Sequence, residues 1–377
     1  MPQSPSTPLA VAATQRVASW LTFLGVSEQA FDDTLGLISP LLTINRLHAK
    51  VIGKRSETPS ACTLVLQAGP AFEGLQPGQY VMFGVVTQGV RHRRAYSPRM
   101  VEGHPGRLAI TVQRQVGGKV SNHIHDHIKV GDVIELEAAA GEFVLPDPLP
   151  PHVVMVAGGS GITPCMSMIE ELHRRRAMTR TTLIYFARSQ SERIFARELQ
   201  TLASHWPGLT YVPVESMANT PGQPPAQQIT LDVALLNKHV PAWTDAQAYC
   251  CGPTPLMDAA RELWRNAGLI SQLQLEAFAP NRPSGDPAAR HQVAMVRSGV
   301  TLAFEAPGNE TLLVSGEKAG HTLKHGCRQG LCHECTCRLD SGVIRDLTTG
   351  EQIEGEGQPV RLCVSAALSD LQLHALN

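Results

Sequence analysis

Cys327, Cys332 and Cys335 follow one another as C-x4-C-x2-C, and Cys363 lies 28 residues beyond the third. This is the ligand spacing of a [2Fe–2S] cluster, in which each iron takes two thiolates. Four sulfurs must therefore converge although one is distant in sequence. Gly326 and Gly330 sit where a loop has to wrap the cluster, and glycine accepts turns that other residues resist. A structural zinc site usually pairs two short C-x2-C knuckles, and only one x2 gap is present. A Rieske centre needs a second C-x-x-H, which is missing. Cys337, two residues beyond Cys335, shares its face on an extended strand and reads as a spare thiol beside the cluster. Arg328 either donates toward the sulfides or caps the loop. His333 tunes the cluster or faces a partner, because four cysteines already complete the ligand set.

Two other stretches suit phosphate chemistry. Ala157-Gly158-Gly159-Ser160-Gly161-Ile162-Thr163-Pro164 follows an apolar strand and opens a helix. Glycines there let the backbone approach a pyrophosphate, and the helix N-terminus brings partial positive charge. Gly117-Gly118-Lys119-Val120-Ser121 offers backbone N–H groups and a hydroxyl in an anion nest. Arg188-Ser189 comes after the next strand, where NAD-binding folds usually carry an acid for the ribose hydroxyls. No acid lies between Ala187 and Ser191, and Arg193 follows one turn on. An arginine suits a 2′-phosphate, so NADPH is favoured over NADH.

The elements that position these residues fall into zones. Residues 46–147 hold short β runs, among them Thr63–Leu66, Tyr80–Phe83, Leu108–Val112 and Val133–Leu136, as in a small antiparallel β-barrel. Residues 148–280 alternate strand and helix. Val153–Ala157 is a continuous apolar run, as in a buried parallel strand, and Pro164 is read as the opening of the next helix. Further strands are expected at Leu183–Phe186, Tyr211–Val214, Ala248–Cys251 and Leu273–Leu275, with helices near 194–202, 231–239 and 255–266. The pattern is that of an α/β doubly wound sheet. Residues 281–290 form a turn-rich linker. Residues 291–377 hold short strands, a short helix near Glu317 and the cluster cysteines.

Arg94-Ala95-Tyr96-Ser97, with Gly117–Ser121 downstream, is where the chain resembles the ferredoxin–NADP reductase superfamily. The glycine turn matches that superfamily's G-G-x-G-I-T-P, and Cys251-Gly252-Pro253-Thr254-Pro255-Leu256-Met257 its C-G-P-x-x-M. Glu276-Ala277-Phe278 matches its E-x-F. The resemblance implies that Arg94 pairs with a flavin phosphate, Tyr96 packs on the flavin and Ser97 bonds near its reactive nitrogen. It places Cys251 and Gly252-Pro253 beside the nicotinamide, Glu276 in the same pocket and Phe278 over the flavin. FAD is favoured, FMN serving another branch. The C-terminal region resembles a plant-type ferredoxin with the β-grasp (α+β) fold. Domain order, with the ferredoxin last, is similar to that of the phthalate dioxygenase reductase and phenylacetyl-CoA epoxidase reductase branches.

A nicotinamide gives electrons in pairs and an iron–sulfur cluster takes them singly; a flavin converts between the two. The modules together imply an electron-transfer reductase running from NADPH to FAD to [2Fe–2S] to an acceptor protein. The cluster loop and N-terminal extension resemble those of reductases serving membrane fatty-acyl-CoA desaturases. A soluble aromatic-ring dioxygenase, demethylase or other multicomponent oxygenase is the alternative acceptor.

Composition sets the outer limits. The 377 residues carry 32 basic and 33 acidic side chains, a balance that argues against a nucleic-acid partner. Nine cysteines, five of them in the C-terminal region and four of those at ligand spacing, fit a reducing compartment. No apolar run approaches the roughly 18 residues of a membrane span, and the N-terminus lacks the pattern of a secretory signal. A cytoplasmic protein is expected, touching the inner face of the membrane only through its partner. Residues 1–45 read as a helical extension, with Val17, Trp20, Leu21 and Leu24 at helical spacing and a second helix near 31–38. The extension either docks a partner or packs on the next domain.

Overall fold

The computed structural model describes residues 46–87, 89–216, 231–278 and 286–376, together with Asp32, Gly36, Ser39, Leu41 and Thr43. The expected N-terminal helices, and residues 281–285 of the expected linker, lie outside the described residues. Apart from Arg93–Ala95, which group with the second, residues up to Glu276 form one compact unit and those from Ala277 another.

The first unit begins with strands β1 (Leu47–Thr58), β2 (Ala61–Ala68), β3 (Val81–Thr87), β4 (Val90–Tyr96), β5 (Arg99–Met100), β6 (Arg107–Gln113) and β7 (Val133–Leu136). They form one sheet in the order β4-β3-β7-β1-β2-β6-β5. Each pair with a described register is antiparallel. Val51, Leu64, Leu66, Val81, Phe83, Leu108, Ile110 and Leu136 share a single buried core, so the sheet curls around it. Helix α1 (Lys119–Asp126) closes that core with Val120 and Ile124. Residues 117–121, expected as a turn alone, thus lead straight into a helix. Two histidines among its eight residues, His123 and His125, hide its pattern, since histidine is a weak helix former.

The second sheet of this unit contains β8 (His152–Gly158), β9 (Arg180–Ala187), β10 (Leu209–Glu215), β11 (Gln247–Cys251) and β12 (Leu273–Glu276). Its order is β10-β9-β8-β11-β12, and every pairing is parallel. The central β8 is buried at all seven positions, as a strand covered on both faces must be. Each fully buried valine there contributes about 1.5–3 kcal/mol. Crossover helices are α2 (Ile162–Arg174), α3 (Ala196–His205), α4 (Val233–His239) and α5 (Thr254–Asn266). Pro164 is the third residue of α2, not its first. It is still in the first turn, where the missing N–H would have no intrahelical partner.

The second unit carries β13 (Arg290–Arg297), β14 (Val300–Pro307), helix α6 (Leu312–Lys318), and strands β15 (Thr336–Ser341), β16 (Val343–Asp346), β17 (Gln352–Glu354), β18 (Pro359–Arg361), β19 (Ser365–Ala367) and β20 (Leu371–Ala375). A five-stranded mixed sheet runs β14-β13-β20-β15-β18, with β13 and β20 parallel, beside a three-stranded sheet β17-β16-β19. Phe304, Leu312, Leu313, Leu339, Ile344, Leu362 and Leu373 build its core. This is the β-grasp arrangement expected for the C-terminal region.

Candidate functional site

The end of β4 delivers the tetrad. Arg94 and Ala95 lie on that strand, and Tyr96 ends it with its ring edge-on to Phe83, centroids 5.8 Å apart. Ser97 follows, 4 % exposed, and its Oγ has no hydrogen-bond partner among the described residues. A buried hydroxyl in that state is costly unless a ligand completes it. Downstream, Gly117 takes the left-handed conformation with φ 72°, which releases the backbone into α1. A β-carbon on Gly118 would stand 2.5 Å from Ser121 Oγ, and Ser121 is buried at the helix start, accepting from the Gln115 N–H at 3.2 Å. Lys119 and Val120 form the first turn of α1, Lys119 exposed and Val120 in the core.

The glycine turn after β8 is equally constrained. Gly159 has φ 54°, and a β-carbon on Gly161 would sit 2.0 Å from the Cys251 carbonyl oxygen. Only glycine lets this turn lie against the end of β11, which also explains Gly252, whose β-carbon would stand 3.0 Å from the Gly158 backbone. Thr163 Oγ1 donates to the Ser160 carbonyl at 3.1 Å, and Ile162 is fully buried. Pro253 caps α5 from extended backbone. The turn also rests on a residue that sequence reasoning passed over. Tyr185, fully buried on β9, donates from its hydroxyl to the Gly159 carbonyl at 3.0 Å and accepts the Ile194 N–H at 3.1 Å.

At the carboxyl end of the parallel sheet, Cys251 and Glu276 are register partners on β11 and β12. Both are buried. Burial pushes the Glu276 carboxyl up to about 8, and its Oε2 has no partner among the described residues. Burial raises the Cys251 thiol well above its ordinary value, with Glu276 and Cys165 adding to it. Burial thus disfavours the charged form of both the Cys251 thiol and the Glu276 carboxyl. Cys250 is a buried strand residue, as expected, with its thiol pushed up to about 12 by burial. Phe278 lies just beyond β12 and is half-buried.

The loop after β9 departs from the simple picture of a free arginine. Arg188 Nε donates to Glu192 Oε2 at 2.6 Å, and Arg193 Nη2 donates to Glu215 Oε1 at 2.8 Å. Ser189 Oγ lies 3.0 Å from Ser191 Oγ. Each cation carries its own carboxylate.

In the second unit the four cysteines converge. Cys335 and Cys363 sulfurs are 3.3 Å apart, and the Cys327 thiol meets both Cys332 and Cys363. The N–H groups of Gln329, Leu331 and Cys332 each point at Cys327 Sγ from 3.3 Å. The neighbouring thiols of Cys332 and Cys363, with these N–H groups, hold Cys327 far below an ordinary thiol. Four sulfurs brought together at this spacing, with N–H groups aimed at one of them, fit the donor set of an iron–sulfur cluster. Gly326 has no room for a side chain, with Cys332 Sγ 2.7 Å from its would-be β-carbon, and Gly330 has φ 78°. Arg328 and His333 also adopt left-handed backbone, φ 58° and 56°, a strain typical of a functional loop. Arg328 caps the loop: it pairs with Glu317 of α6, its Nη1 at 3.0 Å from Oε2. His333 is exposed. Cys337 packs into the core with its sulfur 3.8 Å from Met295 Sδ.

Comparison with known proteins agrees with this division. Residues 48–145 match the family Oxidoreductase FAD-binding domain, 155–262 the Oxidoreductase NAD-binding domain, and 296–368 the 2Fe-2S iron-sulfur cluster binding domain. The chain is 36% identical over 348 residues to an NADPH oxidoreductase of Mycobacterium tuberculosis, covering 91% of this chain and 88% of that protein. It is 27% identical to the glycine betaine monooxygenase reductase subunit of Pseudomonas aeruginosa, over 78% of this chain and 84% of that one. The solved structure of phthalate dioxygenase reductase, described as a modular structure for electron transfer from pyridine nucleotides to [2Fe–2S], aligns with TM-score 0.58 and 25% identity. It covers 88% of this chain and 98% of that chain.

The fold and its three sites define an NAD(P)H-dependent flavin and iron–sulfur oxidoreductase that passes electrons from NAD(P)H through FAD to a [2Fe–2S] cluster. The chain belongs to the ferredoxin–NADP reductase superfamily, in the branch of reductases with a C-terminal plant-type ferredoxin domain. No helix among the described residues is long and apolar enough to cross a membrane.

Proposed function

We propose that the chain takes electrons from NADPH and delivers them singly to the terminal component of a multicomponent oxygenase. The observation that carries this reading is the buried Ser97 hydroxyl and Glu276 carboxyl, each left without a partner where a flavin and a nicotinamide belong, in the same chain as four converging cluster thiols. Arg94, Ala95, Tyr96, Ser97 and the Gly117–Ser121 nest would hold FAD. Gly159–Thr163, Arg188, Ser189, Arg193 and Gly252-Pro253 would hold NADPH, and Phe278 would cover the flavin. Cys327, Cys332, Cys335 and Cys363 would hold the cluster. Bound FAD supplies the conversion from paired to single electrons. Of the chain's own groups, the buried Cys251 and Glu276 shape a dry pocket at the nicotinamide end. Ser97 offers its hydroxyl to the flavin.

NADPH is supported by Arg188 and Arg193 at the ribose loop and by the 36% identity to a protein named NADPH oxidoreductase. The oxygenase acceptor is supported by relatives named as reductase components of monooxygenases, among them the glycine betaine enzyme. A membrane fatty-acyl-CoA desaturase is the second reading, favoured by the G-C-R-x-G-x-C-H-x-C loop and the N-terminal extension. All nine cysteines are free thiols, which supports a cytoplasmic setting for either.

The ratio of unsaturated to saturated acyl chains in a strain lacking the gene decides between the acceptors. An unchanged ratio, in a strain with no second such reductase, supports the oxygenase. A fall restored by the intact gene but not by Cys335→Ser overturns it in favour of the desaturase.

A further inference from the structure

We propose that Arg99 is a positioning residue for electron transfer from nicotinamide to flavin, locking the pyrophosphate-binding turn to the strand end that carries Tyr96 and Ser97. The inference rests on the flavin and nucleotide sites as assigned above.

Arg99 begins β5, two residues after Ser97, and its side chain is only 11% exposed. Its guanidinium reaches across to both helices of the nucleotide sheet nearest it. Nη1 donates to Glu170 Oε1 on α2 at 2.5 Å and to Glu198 Oε2 on α3 at 2.9 Å, while Nη2 donates to Glu198 Oε1 at 3.3 Å. Arg55 of β1 donates to the same Glu198 Oε1 at 2.8 Å, so two cations of the antiparallel sheet meet two carboxylates of the helices. These groups line a cleft of about 1400 Å³.

A contiguous path leads from this pair to the nucleotide. The Arg99 guanidinium carbon stacks over the Phe195 ring, 4.6 Å from its centroid. Phe195 is the N-cap of α3 in left-handed backbone, φ 60°, a conformation a bulky residue adopts only when its surroundings enforce it. The preceding residue, Ile194, gives its N–H to the Tyr185 hydroxyl at 3.1 Å, and that hydroxyl gives its proton to the Gly159 carbonyl at 3.0 Å. Gly159 opens the pyrophosphate turn. One guanidinium therefore holds α2 near its far end through Glu170, and holds its N-terminal turn through Phe195, Ile194 and Tyr185.

A buried ion pair is weak evidence for stability, since desolvation offsets most of the attraction. What a planar guanidinium fork fixes is direction: it meets two carboxylates and a ring face at once, which an ammonium cannot do. The reaction served consumes nothing further. NADPH is oxidised to NADP+ as a hydride and one solvent proton go to the flavin. Its rate depends steeply on alignment, a displacement of about 1 Å costing up to roughly a hundredfold.

The test uses the FAD- and cluster-loaded protein with Arg99→Met and Arg99→Lys. Wild-type flavin bleaching by NADPH under anaerobic conditions first establishes the sites; its failure would sink the functional reading and this proposal with it, whereas the variants test Arg99 alone. Given bleaching, Arg99→Met is expected to bind 2′,5′-ADP within about twofold of wild type by calorimetry. Its limiting bleaching rate at saturating NADPH should fall about ten- to hundredfold. Amide hydrogen exchange should quicken over residues 158–162 and 193–196, and Arg99→Lys should recover part of both. An unchanged limiting rate, unchanged exchange, or equal losses of 2′,5′-ADP and FAD binding would each overturn the proposal. Should Arg99→Met fail to fold, Glu170→Gln decides: quicker exchange with a reduced limiting rate supports it, wild-type values overturn it.

Discussion

Arg361, at the end of β18, donates from Nη1 to the Gly330 carbonyl at 2.7 Å, so the strand leading into Cys363 grips the loop that carries Cys327 and Cys332. Its Nη2 donates to Asp346 Oδ2 at 2.6 Å and to Thr348 Oγ1 at 3.2 Å. Burial works against the Asp346 charge, but hydrogen bonds from Thr348 and Arg361 outweigh it and hold the carboxyl below its ordinary value. The distant fourth cysteine is thereby tied to the other three by something besides the cluster itself.

Arg361→Met should therefore loosen the cluster loop while leaving the flavin in place. Cluster absorbance should decay several-fold faster than in wild type under a chelator, with FAD content unchanged. Removing the cation also leaves Asp346 buried without its partner, a loss of about 3–5 kcal/mol for a buried pair. Asp346→Asn in the same background should give back part of that stability. Equal cluster lifetimes in Arg361→Met and wild type would show that Gly330 needs no such hold.

The ribose loop makes a prediction about cofactor preference. Glu192 holds Arg188 at 2.6 Å, so a 2′-phosphate must displace a carboxylate to reach the guanidinium. Glu192→Gln should tighten 2′,5′-ADP by about two- to fivefold, the worth of an exposed ion pair, and leave 5′-AMP unchanged. Arg188→Gln should weaken 2′,5′-ADP and leave 5′-AMP alone. Parallel changes for both nucleotides in either variant would remove Arg188 from phosphate recognition.

Glu276 ties stability to pH. Its carboxyl is raised from 4.5 to about 8 by burial, so the folded chain holds a proton there that the unfolded chain has lost. The stabilising contribution is fully present below about pH 4.5 and is lost as pH rises through about 8. Over that window it supplies a slope of up to about 1.4 kcal/mol per pH unit. Thermal midpoints of the loaded protein between pH 5 and 9 should fall more steeply for wild type than for Glu276→Gln. Identical slopes would mean that Glu276 is already ionised at neutral pH.

Much of this was legible in the sequence because it rests on local spacing. The cysteines, the glycine turn and the apolar run of β8 are each short stretches whose chemistry dictates their residues. Arg99 was not legible: its partners Glu170 and Glu198 are 71 and 99 residues away, and nothing near it in the chain announces them. Tyr185 was hidden for a different reason, since a tyrosine in a buried strand reads as core until its hydroxyl is seen between Gly159 and Ile194. Arg188 was read as a cation without an acid beside it, and Glu192, which holds it, lay just beyond the stretch searched.

Anaerobic titration with NADPH, followed by visible absorbance and electron paramagnetic resonance, tests the central claim most directly. Wild type should take about 1.5 equivalents, two electrons on FAD and one on the cluster, and develop the signal of a reduced [2Fe–2S] centre. Cys335→Ser should bleach its flavin with about one equivalent, at the wild-type rate, and develop no cluster signal. Wild-type flavin left unbleached by NADPH, or a full cluster signal in Cys335→Ser, would contradict the account.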